Sequence, residues 1–276
     1  VVMASVQFQL EQPELEFTTS GGSEVRRTVL PCGVRVLTET MPAAQSASVS
    51  FSVAVGSRDE IDGQFGSTHF LEHLLFKGTK SRTALEIAVA FDSVGGASNA
   101  VTGKEHTSYY ARVQDKAVPV AVEVIADMLT SSIIDPVEFE NERTVILEEL
   151  AMNDDDPQDV AHEEFFGAVL AGHPLGRPIG GTVETISAVD RESVWAHYQA
   201  NYRPKDLVIT AAGGIDHAEL LELVTSNVEK AGWDLAVPSS PRSWRNKVLA
   251  QKTASSSVKV VNRPIAQANI VIGNPG

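Results

Sequence analysis

Ser67-Thr68-His69-Phe70-Leu71-Glu72-His73-Leu74-Leu75-Phe76 reads as one short helix. Ser67 or Thr68 offers capping chemistry at its start, and Gly78 follows its end. Successive residues of a helix turn by about 100°. His69 and His73 are four apart, so their rings stand one above the other on one face. Glu72 lies beside the same face, while Phe70, Leu74 and Leu75 can turn toward a core. Two imidazoles so placed reach a single metal ion, and a nearby carboxylate that is not a ligand completes what a hydrolytic zinc needs. A pair of histidines at this spacing also arises by chance on surface helices; the glutamate between them narrows the choice.

Outward from this helix the chain alternates strand and helix signals. Residues 28–40 read as two strands around the turn Pro31-Cys32-Gly33, and 47–55 alternate apolar residues at 49, 51, 53 and 55. Residues 83–94 form a second helix, stopped by Gly95-Gly96, and 97–102 with 107–113 form a strand pair around Gly103-Lys104. Residues 118–131 carry an apolar helical stripe with Pro119 in its first turn. Asp135-Pro136 opens a long helix to about residue 152, and Asp156-Pro157 opens another over 158–170. Residues 171–181 are a Gly/Pro loop, 190–198 and 217–231 are helices, and 206–212 are a strand. The pattern implies an α+β fold, a mainly antiparallel sheet with helices packed on one face.

Residues 1–24 read as an extended leader without periodicity, 25–237 as the main lobe and 238–257 as a Ser-rich linker. Strands are expected at 258–261 and 267–273, the second resembling residues 46–56. Residues 258–276 therefore read as the opening of a second, truncated copy of the first lobe. On that reading the natural polypeptide is about half as long again.

The chain has 276 residues, 22 Lys and Arg against 36 Asp and Glu, and a formal charge of −14. That balance argues against nucleic acid, whose phosphates need clustered cations. The single Cys32 excludes an intrachain disulfide framework and any multi-thiolate metal site. No apolar run approaches the roughly 20 residues of a membrane span, and residues 1–24 suit neither a secretory nor a mitochondrial leader. A cytoplasmic location is the resulting expectation.

Two histidines do not complete a catalytic zinc site, which takes a third protein ligand and water. The acidic helix around 138–149 can supply it. Glu142 and Glu149, seven apart, are nearly in phase, so helical geometry does not choose between them, and a solvated acidic face has the same pattern. Of the other histidines, His106 reads as a loop residue, and His162, His173, His197 and His217 as surface or capping residues.

His69-Phe70-Leu71-Glu72-His73 matches the inverted zinc-peptidase motif of the inverzincins, His-x-x-Glu-His. Around it stand Gly56-Ser57-Arg58-Asp59-Glu60, Asn99-Ala100-Val101-Thr102, Glu105-His106-Thr107-Ser108-Tyr109-Tyr110, Glu142-Arg143-Thr144-Val145-Ile146-Leu147-Glu148-Glu149 and His173-Pro174-Leu175-Gly176-Arg177. Over residues 27–276 the chain resembles the pitrilysin, insulin-degrading and mitochondrial-processing peptidase family, above all its bacterial processing-peptidase-like members. The resemblance implies a zinc endopeptidase. Zinc would be held by His69, His73 and Glu149, with Glu72 as general base and Glu142 as a supporting carboxylate. It also implies that Ala97, Ser98, Asn99, Ala100, Val101 and Thr102 form an edge strand to which an extended peptide substrate adds. Members of that family enclose substrate between two homologous halves, so a second lobe or a partner subunit, in a homo- or heterodimer, is expected. The competing reading is a non-catalytic subunit of a heteromeric peptidase; such members usually lose metal or base residues, and here all four are present.

Overall fold

The computed structural model describes residues 12–241 and 258–273. The leader before residue 12, most of the expected linker (242–257) and residues 274–276 lie outside the described residues.

Seven strands form one sheet in the order β1-β2-β3-β7-β4-β6-β5. They are β1 (Glu14–Thr18), β2 (Glu24–Val29), β3 (Arg35–Thr40), β4 (Ser46–Val53), β5 (Ala97–Thr102), β6 (Thr107–Gln114) and β7 (Leu207–Gly213). Every pairing is antiparallel except β3 with β7, where Val36 lies opposite Ile209. The β2–β3 hairpin turns at Gly33, whose φ of 93° is open to glycine at little cost. Alternation does the rest: Val49, Phe51 and Val53 of β4 and Tyr109, Ala111 and Val113 of β6 point to the same buried side.

That side is covered by helices. α1 (Ser67–Leu74) and α2 (Ala84–Ser93) lie at the β5 end, and α3 (Val118–Ser131) packs across β4 and β6. α4 (Pro136–Asp155) crosses α1 and is followed by α5 (Pro157–Val169), α6 (Val183–Ala188) and α7 (Arg191–Asn201). α8 (His217–Lys230) packs on α3 and β3. Ala121, Ile125 and Leu129 of α3 and Leu220, Val224 and Val228 of α8 are all buried in the core above the sheet, where the two helices pack together. The α+β expectation holds. No helix among the described residues is long and apolar enough to cross a membrane.

Three expectations are corrected. Part of the leader, Glu14–Thr18, is a strand: its register from Glu14 opposite Thr28 to Thr18 opposite Glu24 extends the sheet by one edge. The strands expected at 258–261 and 267–273 do not form, because no described strand lies alongside them and a strand exists only through its ladder. Their apolar residues stay open, Ile270 at 80% and Ile272 at 90% exposure. His197 and His217 are buried, not superficial. The His217 ring bridges Thr28 Oγ1 (2.9 Å) and Thr38 Oγ1 (2.8 Å), fastening the first residue of α8 to β2 and β3.

Candidate metal centre

α1 carries the two histidines, and its start is set by a loop rather than by its own residues. The N-cap is Gly66, at φ 92°, and neither Ser67 nor Thr68 caps the helix. Glu60 does so from outside: its carboxylate accepts the backbone N–H of Gly66 (2.9 Å) and of Thr68 (2.8 Å). A negative group there answers both the unpaired N–H groups and the positive end of the helix dipole. Burial pushes the Glu60 carboxyl up to about 7, against the pull of those N–H bonds and of Arg177. Arg177 fixes the loop in turn, donating to the carbonyls of Ser57 (3.0 Å) and Glu60 (3.1 Å).

Along α1, Phe70, Leu71 and Leu74 are buried, which leaves His69, Glu72 and His73 on the partly open side. The two imidazole centroids are 4.8 Å apart. α4 is positioned against this side by a stacked pair, Phe70 on Phe139, 4.5 Å between centroids and 12° between planes. The Arg143 guanidinium covers Phe139 at 4.9 Å. α4 itself starts cleanly, with Asp135 accepting from the N–H of Val137 (2.8 Å) and Pro136 in the first turn.

The crossing separates the two glutamates that helical phase left equivalent. Glu149 Oε2 lies 3.7 Å from His69 Nε2 and 3.5 Å from His73 Nε2. Glu142 meets the other side of the ring: it accepts from His73 Nδ1 at 2.9 Å and from Lys77 Nζ at 2.6 Å. Among the described residues, His69, His73 and Glu149 are the one group whose donor atoms converge, all within 4.8 Å of one another. The 3.5 and 3.7 Å separations from Glu149 are longer than an ordinary hydrogen bond and close to the edge of a tetrahedron with bonds of about 2.0–2.1 Å, the bond length zinc takes. The donor set fits as well. Burial, then the neighbouring His73, hold the His69 ring below the usual imidazole range, and the neutral ring is the form that ligates. The bond from His73 Nδ1 to a carboxylate leaves the Nε2 lone pair facing Glu149.

Glu72 stands beside the cluster. One of its oxygens, Oε2, accepts the hydroxyl of Thr102, the last residue of β5. β5 is the sheet edge, with Asn99 and Val101 exposed and Ala100 and Thr102 buried. The structure therefore ties the end of β5, at Thr102, to Glu72, with Ala97–Val101 running away from it along the sheet edge. His106 lies in the exposed β5–β6 loop, His162 is exposed, and His173 caps a short turn by accepting the Leu175 N–H at 3.1 Å. None of these reaches the cluster. Sequence reasoning missed Glu60 and Lys77 as supports. Lys77 carried a local signal, four residues after His73 on the same face; Glu60 carried none, because its partners depend on a loop closing back onto the helix.

A family model described as Insulinase (Peptidase family M16) matches residues 35–183, and one described as Peptidase M16 inactive domain matches residues 188–276. The chain is 44% identical over 259 residues to an uncharacterized zinc protease of Streptomyces coelicolor, covering 93% of this chain and 56% of that protein. It is 36% identical over 263 residues to a probable mitochondrial-processing peptidase subunit beta of Schizosaccharomyces pombe, again covering 56% of the relative and 94% of this chain. The solved structure of a protease from Helicobacter pylori superposes with a TM-score of 0.72 at 26% identity, over 80% of this chain and 54% of the other. The chain thus spans little more than half the length of these relatives. It belongs to peptidase family M16, the insulinase family.

Proposed function

We propose that this M16 chain is the catalytic lobe of a zinc-dependent endopeptidase that hydrolyses peptides or unstructured precursor segments. The observation that carries the reading is the convergence of His69 Nε2, His73 Nε2 and Glu149 Oε2 on one point, with the Glu72 carboxylate beside it. Zinc, when bound there, supplies a Lewis acid and lowers the pKa of water to about 7.

The remaining steps belong to the protein. His69 and His73 project from one helix and Glu149 from another, so the joint between α1 and α4 fixes the ligand geometry. Glu142, itself neutralised by Lys77, holds the His73 ring in the tautomer that offers Nε2. Glu72 takes the proton of the attacking water and returns it to the leaving amine. The outer edge of β5, unpaired among the described residues, receives the peptide as an added strand. Main-chain pairing of that kind tolerates many side chains, which suits unstructured segments of varied sequence. A second homologous lobe, begun by residues 258–276, or a partner subunit closes over the bound peptide.

The test pairs metal analysis with cleavage of a quenched fluorescent peptide, the chain being joined to its second lobe. One zinc per chain is expected, with hydrolysis lost in chelator and restored by zinc. Glu72→Gln is expected to keep the zinc and to lose about 1000-fold or more in kcat, because an amide cannot accept the proton. Peptide hydrolysis at the parent rate by that variant, or by metal-free protein, overturns the proposal.

A further inference from the structure

We infer that Thr102 is a positioning residue for Glu72: its hydroxyl ties the proton-transferring carboxylate to the strand on which the peptide is laid. The inference rests on the reading of Glu72 as the base. Thr102 closes β5, and alternation along that strand turns Ser98, Ala100 and Thr102 toward α1 while Ala97, Asn99 and Val101 face outward. The Thr102 hydroxyl has one proton, and it is donated to Glu72 Oε2. An ionised carboxylate has lone pairs on both oxygens, so Oε1 is left for proton transfer.

The support behind Thr102 is firm. Its register partner Thr107 donates through Oγ1 to the Val55 carbonyl at 3.0 Å, anchoring the hairpin end to the segment after β4. The loop beyond it is clasped from the other side: Ser57 N–H donates to Gly103 O (3.2 Å) and Arg58 N–H to Lys104 O (3.0 Å). Gly56 permits that closeness, since a Cβ there would collide with the backbone of residues 103–105. The end of the Glu72 side chain turns about a broad, roughly two-fold torsion and has no strong preference of its own. The Thr102 hydroxyl selects one orientation, and the strand that receives the peptide is the strand that aims the base. Register between scissile bond and carboxylate is then set within a single element.

The experiment compares Thr102→Val, which keeps the shape and removes the hydroxyl, with Thr102→Ser, which keeps the hydroxyl. Thr102→Val is expected to lower kcat about 10–100-fold with KM within about twofold of the parent. Thr102→Ser is expected to recover most of the loss, and zinc content is expected to be unchanged in both. Peptide affinity, read by fluorescence anisotropy with Glu72→Gln present to prevent turnover, is expected to be the same with Thr102 or Val. A kcat within about threefold of the parent, equal impairment of both variants, or weakened peptide binding overturns the inference. A second readout needs neither metal nor turnover. In metal-free protein, Thr102→Val is expected to lower Tm by about 2–4 °C when Glu72 is present and by almost nothing beside Glu72→Ala. Additive shifts overturn the tie. If the zinc-loaded parent does not cleave peptide, the endopeptidase reading fails, and this cycle still decides whether the hydroxyl holds the carboxylate.

Discussion

Glu142 shows how much of a metal site is decided by residues that do not face the metal. It is nearly fully buried, yet it spans two donors, His73 Nδ1 at 2.9 Å and Lys77 Nζ at 2.6 Å. A buried carboxylate without such partners would be costly; with them it becomes a clamp on one ring orientation. Glu142→Gln can keep at most part of this. The amide has one oxygen for two donors, and Lys77 loses its counter-charge. Zinc affinity is expected to fall about 10–100-fold, without abolition, in competition with a chromophoric chelator. Unchanged affinity would show that packing alone orients the His73 ring. His69 differs: its buried Nδ1 meets no hydrogen-bond partner among the described residues, so within them that ring is held by its neighbours' shape. At this scale the sequence was partly legible. His69, Glu72 and His73 lie within one helical turn and a little more, where spacing translates directly into geometry. Spacing did not divide the roles of Glu142 and Glu149, because that depends on how one helix crosses another; only the family resemblance assigned them.

That crossing is a property of elements. Phe70 on α1 and Phe139 on α4 stack at 4.5 Å, and Arg143 lies over Phe139 while also donating to the Ile186 carbonyl of α6. One joint therefore fixes α1, α4 and α6, and with them the distance from Glu149 to the histidines. Phe139→Ala is expected to cost about 3–5 kcal/mol in urea denaturation of the metal-free protein. It should also weaken zinc binding, although it touches no ligand. Phe139→Leu fills most of the space and should lose about 0.5–1.5 kcal/mol, the part due to stacking. Parent-like stability and zinc affinity in the alanine variant would show that α4 is held elsewhere. Elements with strong local patterns were readable in advance. The alternation in Ser46–Val53 and the apolar stripe of Val118–Ser131 both follow from which side must be buried. Elements that depend on distant partners were not. β1 hides in a charged segment, with Glu14 and Glu16 exposed, and exists because β2 lies beside it. The residues at 267–273 show the converse: alternation is present, no strand among the described residues lies alongside, and none is formed there. α6 is six residues long, too short for a periodic signal, and is marked only by the capping box of Thr182 with Thr185.

For the molecule as a whole, stability against pH is shaped by two buried groups that meet at one end of α1 and oppose each other. Glu60 accepts the Thr68 N–H, and His197 on α7 donates from Nε2 to the Thr68 hydroxyl at 3.1 Å, its Nδ1 accepting from Asn201. Burial lowers the His197 ring to about 4, against a small pull from Asp59. The unfolded ring titrates near 6.5 and binds protons more readily than the folded one, so its contribution is complete above pH 6.5 and is lost as pH falls toward 4. Glu60 runs the other way. Its folded value, about 7, lies above the unfolded 4.5, so its contribution is complete below pH 4.5 and is lost as pH rises through 7. Each displacement corresponds to about 3 kcal/mol, and between pH 4.5 and 6.5 the two slopes cancel. With 36 acidic residues in the chain, the parent curve alone does not isolate the pair. Differences between variants do. In chelator, so that metal-linked protons do not enter, the stability of His197→Gln relative to the parent is expected to improve by about 3 kcal/mol as pH falls from 6.5 to 4.5. Glu60→Gln should show the mirror image, losing about 3 kcal/mol against the parent over the same interval, and the double variant should show neither slope. Single-variant differences that stay flat with pH would mean that water reaches these groups in the folded state, and that the start of α1 is less tightly closed than its buried contacts require.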